Sequence, residues 1–185
     1  MPTPNASIAT CTTLASPIGP ILVATSGRGV CATSWLEPFP LERTLHDLRV
    51  RGFDPVEDAG DPDVRRWATW LEAYFAGEVQ DLCGPVDLRG VSPFTERALT
   101  GIFDIPHGQV RTYGEVATRI GMPGGAQAVG NAMGQNPIPV IVPCHRVVRA
   151  GNTMGHYTGG AHIKAALLAI EGVRFDRHPG QLSLF

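Results

Sequence analysis

The sequence predicts two domains in tandem, an α/β unit over residues 1–90 and a mostly helical unit over residues 91–185. Three observations carry that division. Ile21-Leu22-Val23-Ala24, then Ser26-Gly27-Arg28-Gly29, then Val30-Cys31-Ala32-Thr33-Ser34-Trp35 read as two strands joined by a tight turn. The stretch from Glu78 to Gly90 has no period and contains Gly84-Pro85, which marks a boundary. Beyond it, helix-start signals recur at Ser92-Pro93 and Thr112-Tyr113-Gly114-Glu115.

Within the first unit, Asp61-Pro62 supplies an N-cap and a proline at the first helical position. Val64, Trp67, Ala68, Leu71, Tyr74 and Phe75 follow at helical spacing until Gly77 stops the helix. In the second unit, Ser92-Pro93 opens a helix whose apolar face is Phe94, Ala98, Leu99, Ile102 and Phe103, closed off by Pro106 and Gly108. The capping box at Thr112 leads through Val116, Ala117 and Ile120 to Gly121. After the turn Met122-Pro123-Gly124-Gly125, a second short helix over Ala126–Gly134 completes a helix-turn-helix outline. That helix is thin, with Ala126, Ala128, Gly130, Ala132 and Gly134 along it, and each glycine costs roughly 1 kcal/mol against alanine. Two readings fit such thinness: close packing against another backbone, or a helix slim enough to press into a DNA groove.

Composition narrows the function classes. A chain of 185 residues with 43% hydrophobic content buries a sizeable core. No apolar stretch approaches the ~18 residues of a membrane span, and Met1–Thr10 lacks the charged head and apolar core of a secretory signal, so a cytoplasmic protein with no membrane partner is expected. Cys11, Cys31, Cys83 and Cys144 are scattered without a Cys-x-x-Cys pair, so neither a disulfide framework nor a zinc ribbon is written in the sequence. The formal net charge is -2, but its distribution is uneven. Residues 1–96 hold 7 basic against 13 acidic residues, whereas residues 97–185 hold 8 against 4. The second half is therefore the one suited to face a polyanion.

The reactive residues follow an apolar, proline-rich run. Asn136-Pro137-Ile138-Pro139-Val140-Ile141-Val142-Pro143 cannot be helical and is expected to form an extended, buried arm. Cys144, His145 and Arg146 stand at its end, and a thiol beside an imidazole and a guanidinium is expected to have a lowered pKa and more thiolate. Downstream, Gly155-His156-Tyr157-Thr158-Gly159-Gly160 reads either as a surface turn or as a loop that brings amides and an aromatic ring against a planar ligand. Glu171 closes a helix read over Ala161–Ile170, where a carboxylate is unfavourable by roughly 0.3 to 1 kcal/mol. It is either an exposed residue without a role or the partner of His145 in a proton relay.

On Ile138-Pro139-Val140-Ile141-Val142-Pro143-Cys144-His145-Arg146-Val147, Arg111-Thr112-Tyr113-Gly114-Glu115-Val116-Ala117 and Tyr157-Thr158-Gly159-Gly160 with Lys164 and Glu171, the chain resembles the O6-alkylguanine-DNA alkyltransferases, or methylated-DNA-protein-cysteine methyltransferases. The likeness is dense from Ser92 to Gly172 and thinner before, where Ser16-Pro17-Ile18-Gly19 and Tyr74-Phe75 carry it. It implies an α/β N-terminal domain of ribonuclease-H-like shape and a mostly α, winged-helix-like DNA-binding domain that carries the acceptor thiol. It also implies minor-groove binding by the second helix of the helix-turn-helix, with the damaged base flipped out.

Carried over by position, the resemblance makes Cys144 the alkyl acceptor, His145 the base that takes its proton through a water, and Glu171 the group that orients His145. Asn136 becomes the hinge into the active-site segment, and Tyr113 assists flipping and hydrogen-bonds the guanine. Ala126, Gln127, Arg146, Val147, Tyr157, Thr158 and Lys164 become contacts to DNA or the base. The implied partner is double-stranded DNA containing O6-alkylguanine, read by a monomer without a cofactor, because the DNA itself donates the alkyl group. O4-alkylthymine is an implied second lesion. Each molecule acts once, since a thioether forms that nothing nearby hydrolyses.

Three departures stand out. Gln127 replaces an arginine that fills the gap left by the flipped base in the family, while Leu99 and His107 replace a common tryptophan and tyrosine as packing changes. Some relatives hold a structural zinc, and Cys11, Cys31, Cys83 and His46 do not clearly supply its ligand set, so no metal is expected. A non-catalytic recogniser of alkylated DNA is the competing reading; such relatives carry tryptophan in place of the cysteine.

Overall fold

In the computed structural model, which describes residues 6–37, 39–78, 82–151, 153–175 and 182–183, the first of two units, Met1–Val91, is built on a four-stranded sheet. Strands β1 (Ser7–Leu14), β2 (Ile21–Ser26), β3 (Gly29–Trp35) and β4 (Phe53–Glu57) lie in the order β3-β2-β1-β4, with only β1 and β4 parallel. The parallel pairing requires a crossover, supplied by α1 (Leu41–Val50). Helix α1 covers one face, where Leu48 packs with Ala9, Cys11, Leu22, Ala24, Cys31, Ala32 and Phe53, and Thr44 hydrogen-bonds Ser34 at 2.9 Å. Helix α2 (Pro62–Phe75) covers the other, with the Phe75 ring 5.9 Å from that of Trp35. Burial on both faces explains why all six residues of β2 are buried.

The hairpin and the α2 start follow the sequence reading: the Asp61 side chain accepts from the amides of Asp63 and Val64 at 2.9 and 3.0 Å. Strands β1 and β4 and helix α1 were not anticipated. The end of this unit is fastened to the sheet by Arg51, whose guanidinium donates to the carbonyls of Cys31, Arg89 and Asp87 at 2.6, 3.0 and 3.2 Å. Gly29, at φ +132°, permits the approach, because a Cβ there would lie 2.2 Å from the Pro85 carbonyl oxygen.

The second unit, Ser92–Phe185, contains α3 (Pro93–Thr100), β5 (Arg111–Thr112), α4 (Tyr113–Arg119), α5 (Ala126–Gly134), a 3-10 turn at Cys144–Arg146, β6 (Val147–Val148) and α6 (Ala161–Ile170). Backbone pairing of β7 (Arg174–Phe175) with β8 (Leu182–Ser183) follows. The capping box is present in full: the Glu115 amide donates to Thr112 Oγ1 at 3.2 Å, and Glu115 Oε2 accepts from the Thr112 amide at 2.6 Å. β5 and β6 pair in parallel and set the segment that leads into α4 beside the one that leaves Cys144–Arg146.

Two expectations need correction here. Helix α3 stops at Thr100, not near Pro106; Gly101 caps it, and a Cβ at Gly101 would meet Ile120 Cγ2 at 2.6 Å. Ile102 is buried in the following turn, whereas Phe94 and Phe103 are half-buried. The run 136–143 is buried but not extended. Asn136 closes it into a turn: its Oδ1 accepts from the Ile138 amide at 3.0 Å and its Nδ2 donates to the Val142 carbonyl at 2.9 Å, while the Val142 amide donates to Ile138 at 2.9 Å. Val140 takes φ +75° to make the bend, a strain of about 1 to 3 kcal/mol for a branched residue.

Candidate active site

The turn imposed by Asn136 delivers Cys144 to the interior, where the residue is 4% exposed. Asn136 Nδ2 also lies 3.0 Å from Cys144 Sγ, so one amide both closes the loop and donates to the sulfur. Burial pushes the Cys144 thiol pKa up, outweighing the Asn136 hydrogen bond, the Lys164 charge and the Tyr157 hydroxyl, all of which pull it down. The expected thiolate is therefore not the resting form. The charge assigned to activating it, on Arg146, is committed elsewhere.

Arg146 turns inward. Its Nε donates to both Glu171 oxygens at 3.1 and 3.0 Å, its Nη2 to Oε1 at 2.9 Å, and its Nη1 to the Ile105 carbonyl at 2.6 Å. With a side chain only 13% exposed, Arg146 directs its hydrogen bonds to Glu171 and Ile105 and braces the carboxylate. His145, fully buried, shares the same carboxylate, with Nε2 2.7 Å from Oε1. The Gly108 amide adds a donor to Oε2 at 3.3 Å. Burial alone would raise the Glu171 pKa, but hydrogen bonds and charge from His145 and Arg146 hold it well below the usual carboxylate range. Burial pushes the His145 pKa down, and the Glu171 contacts only partly restore it. The pair therefore rests as carboxylate and neutral imidazole.

Lys164 is fully buried on α6, with Nζ donating to the Val147 carbonyl at 2.6 Å and lying 5.8 Å from the Tyr113 ring centroid. Burial lowers its pKa to about 8. Val147 itself is buried in β6. The Tyr113 hydroxyl donates to the His156 carbonyl at 3.2 Å, which ties α4 to the glycine-rich loop. From the same loop, Thr158 Oγ1 donates to the Gly134 carbonyl at the end of α5 at 3.1 Å, and Tyr157 is 8% exposed.

The structure thus gathers Asn136, Cys144, His145, Glu171, Tyr113, Tyr157 and Lys164 around one sulfur and one carboxylate. Ala126, half-buried, and Gln127, exposed, lie apart from them in the first turn of α5. Gln127 donates to Asn131 at 3.3 Å along the open face of that helix. Gly108 was missed by sequence reading; the only signal was its place after Pro106, which resembles an ordinary turn. Cys11 and Cys31 lie in the sheet core of the first unit, and no group of three or more metal-ligating side chains converges among the described residues. Among those residues no helix is long and apolar enough to cross a membrane.

Comparison with known proteins matches residues 93–173 to the 6-O-methylguanine DNA methyltransferase DNA binding domain and residues 9–88 to the ribonuclease-like domain of the same family. A methylated-DNA–protein-cysteine methyltransferase of Mycobacterium tuberculosis is 42% identical over 174 residues, spanning 94% of this chain and 96% of that protein. One from Methanosarcina acetivorans is 36% identical, spanning 85% and 94%. Among solved structures, Mycobacterium tuberculosis OGT in complex with DNA is similar with a TM-score of 0.75 at 38% identity, covering 88% of this chain and 92% of that one. The O6-methylguanine-DNA methyltransferase of Pyrococcus kodakaraensis gives 0.62 at 26% identity, covering 89% and 99%.

Proposed function

The chain belongs to the 6-O-methylguanine DNA methyltransferase family, and from that premise we propose that it binds double-stranded DNA containing O6-alkylguanine and transfers the alkyl group irreversibly to Cys144. O4-alkylthymine is a second lesion of the same chemistry. The first unit is the α/β domain and the second is the DNA-binding and alkyl-acceptor domain, acting as a cytoplasmic monomer. The observation that carries the reading is the Asn136 contact to Cys144 Sγ at 3.0 Å beside the His145–Glu171 pair at 2.7 Å.

The steps follow from the resting protonation. Because the thiol is neutral at rest, a base must take its proton as the sulfur attacks. His145 takes it at Nδ1 through a water, with Glu171 fixing the ring by accepting from Nε2. Asn136 donates to the developing thiolate. An S–C bond forms as the C–O6 bond breaks, and the electron pair leaves on guanine. Tyr113, the Lys164 region and backbone donors stabilise that anion, which takes a proton from water, and the resulting hydroxide is neutralised by the proton that His145 releases. Thr158, Tyr157 and Val147 border the flipped base, and Ala126 and Gln127 face the groove. The DNA donates the alkyl group, so no cofactor enters the balance.

Mass measurement tests this directly. Incubation with an oligonucleotide carrying O6-methylguanine is expected to add one methyl mass to the peptide containing Cys144 and to restore guanine in the DNA. An unmodified Cys144 in a chain that still binds the oligonucleotide would replace this reading with recognition alone.

A further inference from the structure

We propose that Arg146 is a positioning residue of the transfer: as the fixed counter-ion of the buried Glu171 carboxylate, it leaves His145 neutral and able to serve as the base. The proposal rests on the reading of His145 as base given above. A carboxylate removed from water needs a cation or a set of donors, and the Glu171 side chain is fully buried. Two groups within reach could supply the positive charge, Arg146 and His145. If His145 supplied it, both ring nitrogens would carry protons and neither could accept one from the thiol.

The geometry divides the work between them. The Arg146 guanidinium engages both carboxylate oxygens, and its remaining Nη1 is anchored on the Ile105 carbonyl at 2.6 Å, so it cannot swing away without losing that contact. The Gly108 amide donates to Oε2, and Oε1 accepts from Nε2 of His145. With its proton directed to Glu171, the imidazole keeps its lone pair on Nδ1. An arginine is suited to this post because it stays charged throughout the pH range in which histidine titrates. The charged groups that act on His145 are Glu171, Arg146 and Lys164; burial and the two cations favour the neutral ring, and Glu171 opposes them. Removing Arg146 leaves Glu171 with His145 as its nearest cation. The ring then protonates more readily, and the base is lost at higher pH than before.

The test is the pH profile of the single-turnover rate constant for methyl transfer from an O6-methylguanine oligonucleotide at saturating DNA. Arg146→Met is expected to move the acid limb upward by about one pH unit or more, whereas Arg146→Lys, which keeps the charge, leaves it near the wild-type position. Adding Glu171→Gln to Arg146→Met removes the buried charge and returns the limb to the wild-type position or below. An acid limb that stays in place in Arg146→Met overturns the proposal. A measurement on the wild-type chain decides the matter if variants fail to fold: the ring carbon and nitrogen shifts of His145 at neutral pH are expected to report the neutral Nε2–H form, and an imidazolium overturns the proposal. Absence of methyl transfer to Cys144 in the wild type would remove the reading of the site, while the ring shifts would still decide whether Arg146 or His145 carries the counter-charge.

Discussion

At the scale of single residues, Lys164 shows how far burial dictates chemistry here. It is the only lysine in the chain and is fully buried on α6, its pKa lowered from 10.5 to about 8 by desolvation. The unfolded chain therefore holds this proton more tightly, so the lysine's contribution to stability rises with pH between about 8 and 10.5. Below about 8 the buried ammonium is a cost. Replacing it with methionine, similar in length and uncharged, removes that dependence. Denaturant unfolding across this window is expected to show the stability of Lys164→Met falling relative to wild type by about 3 kcal/mol as pH rises. A constant difference would mean that the ammonium is solvated. The residues of the site were unequally legible in the sequence. Glu171 announced a partner because a carboxylate is unfavourable at a helix end, and His145 is that partner. The bracing of Glu171 by Arg146 was not legible, because its partners Ile105 and Glu171 come from distant segments.

At the scale of elements, local signals were legible where they were strong and silent where tertiary contact decides. The capping box fixed the start of α4, and the limits of α5 and α6 follow from glycines and apolar spacing. Strand β4 was hidden because Pro55 sits within it, which is tolerated at a sheet edge and nowhere obvious from sequence. Leu41, Leu45 and Leu48 of α1 did carry a helical spacing, but Pro40 precedes them without a side-chain cap. The turn at 136–143 could not be seen because it closes on the Asn136 side chain. Helix α5 raises a separate question, since none of its nine residues is charged and Gln127 spends its amide on Asn131. Gln127→Arg places a cation on that open face. It is expected to tighten duplex binding, steepen the dependence of log affinity on log salt by about 1, and speed repair of methylated duplex. An unchanged slope would show that this face does not approach the phosphates.

At the scale of the whole molecule, the question is how a chain of net charge -2 holds a polyanion. The 8 basic residues of 97–185 are the natural source, but three of them have internal partners. Arg146 is bound to Glu171 and Lys164 to the Val147 carbonyl. Arg119 pairs with Asp104. Arg97, Arg111 and Arg149 remain exposed, and the side chains of Arg174 and Arg177 lie outside the described residues. Three engaged phosphates give a log affinity slope of about −2.7, so duplex affinity should fall roughly 40-fold between 50 and 200 mM salt, far less than the 10³ to 10⁵ of proteins making six to ten phosphate contacts. Fluorescence anisotropy with an unmodified duplex across that range measures the slope. Alanine at Arg97, Arg111 or Arg149 should each lower its magnitude by about 0.9, and the triple variant should nearly abolish the salt dependence. A wild-type slope that those three substitutions leave unmoved would instead place the grip on other cations of the chain.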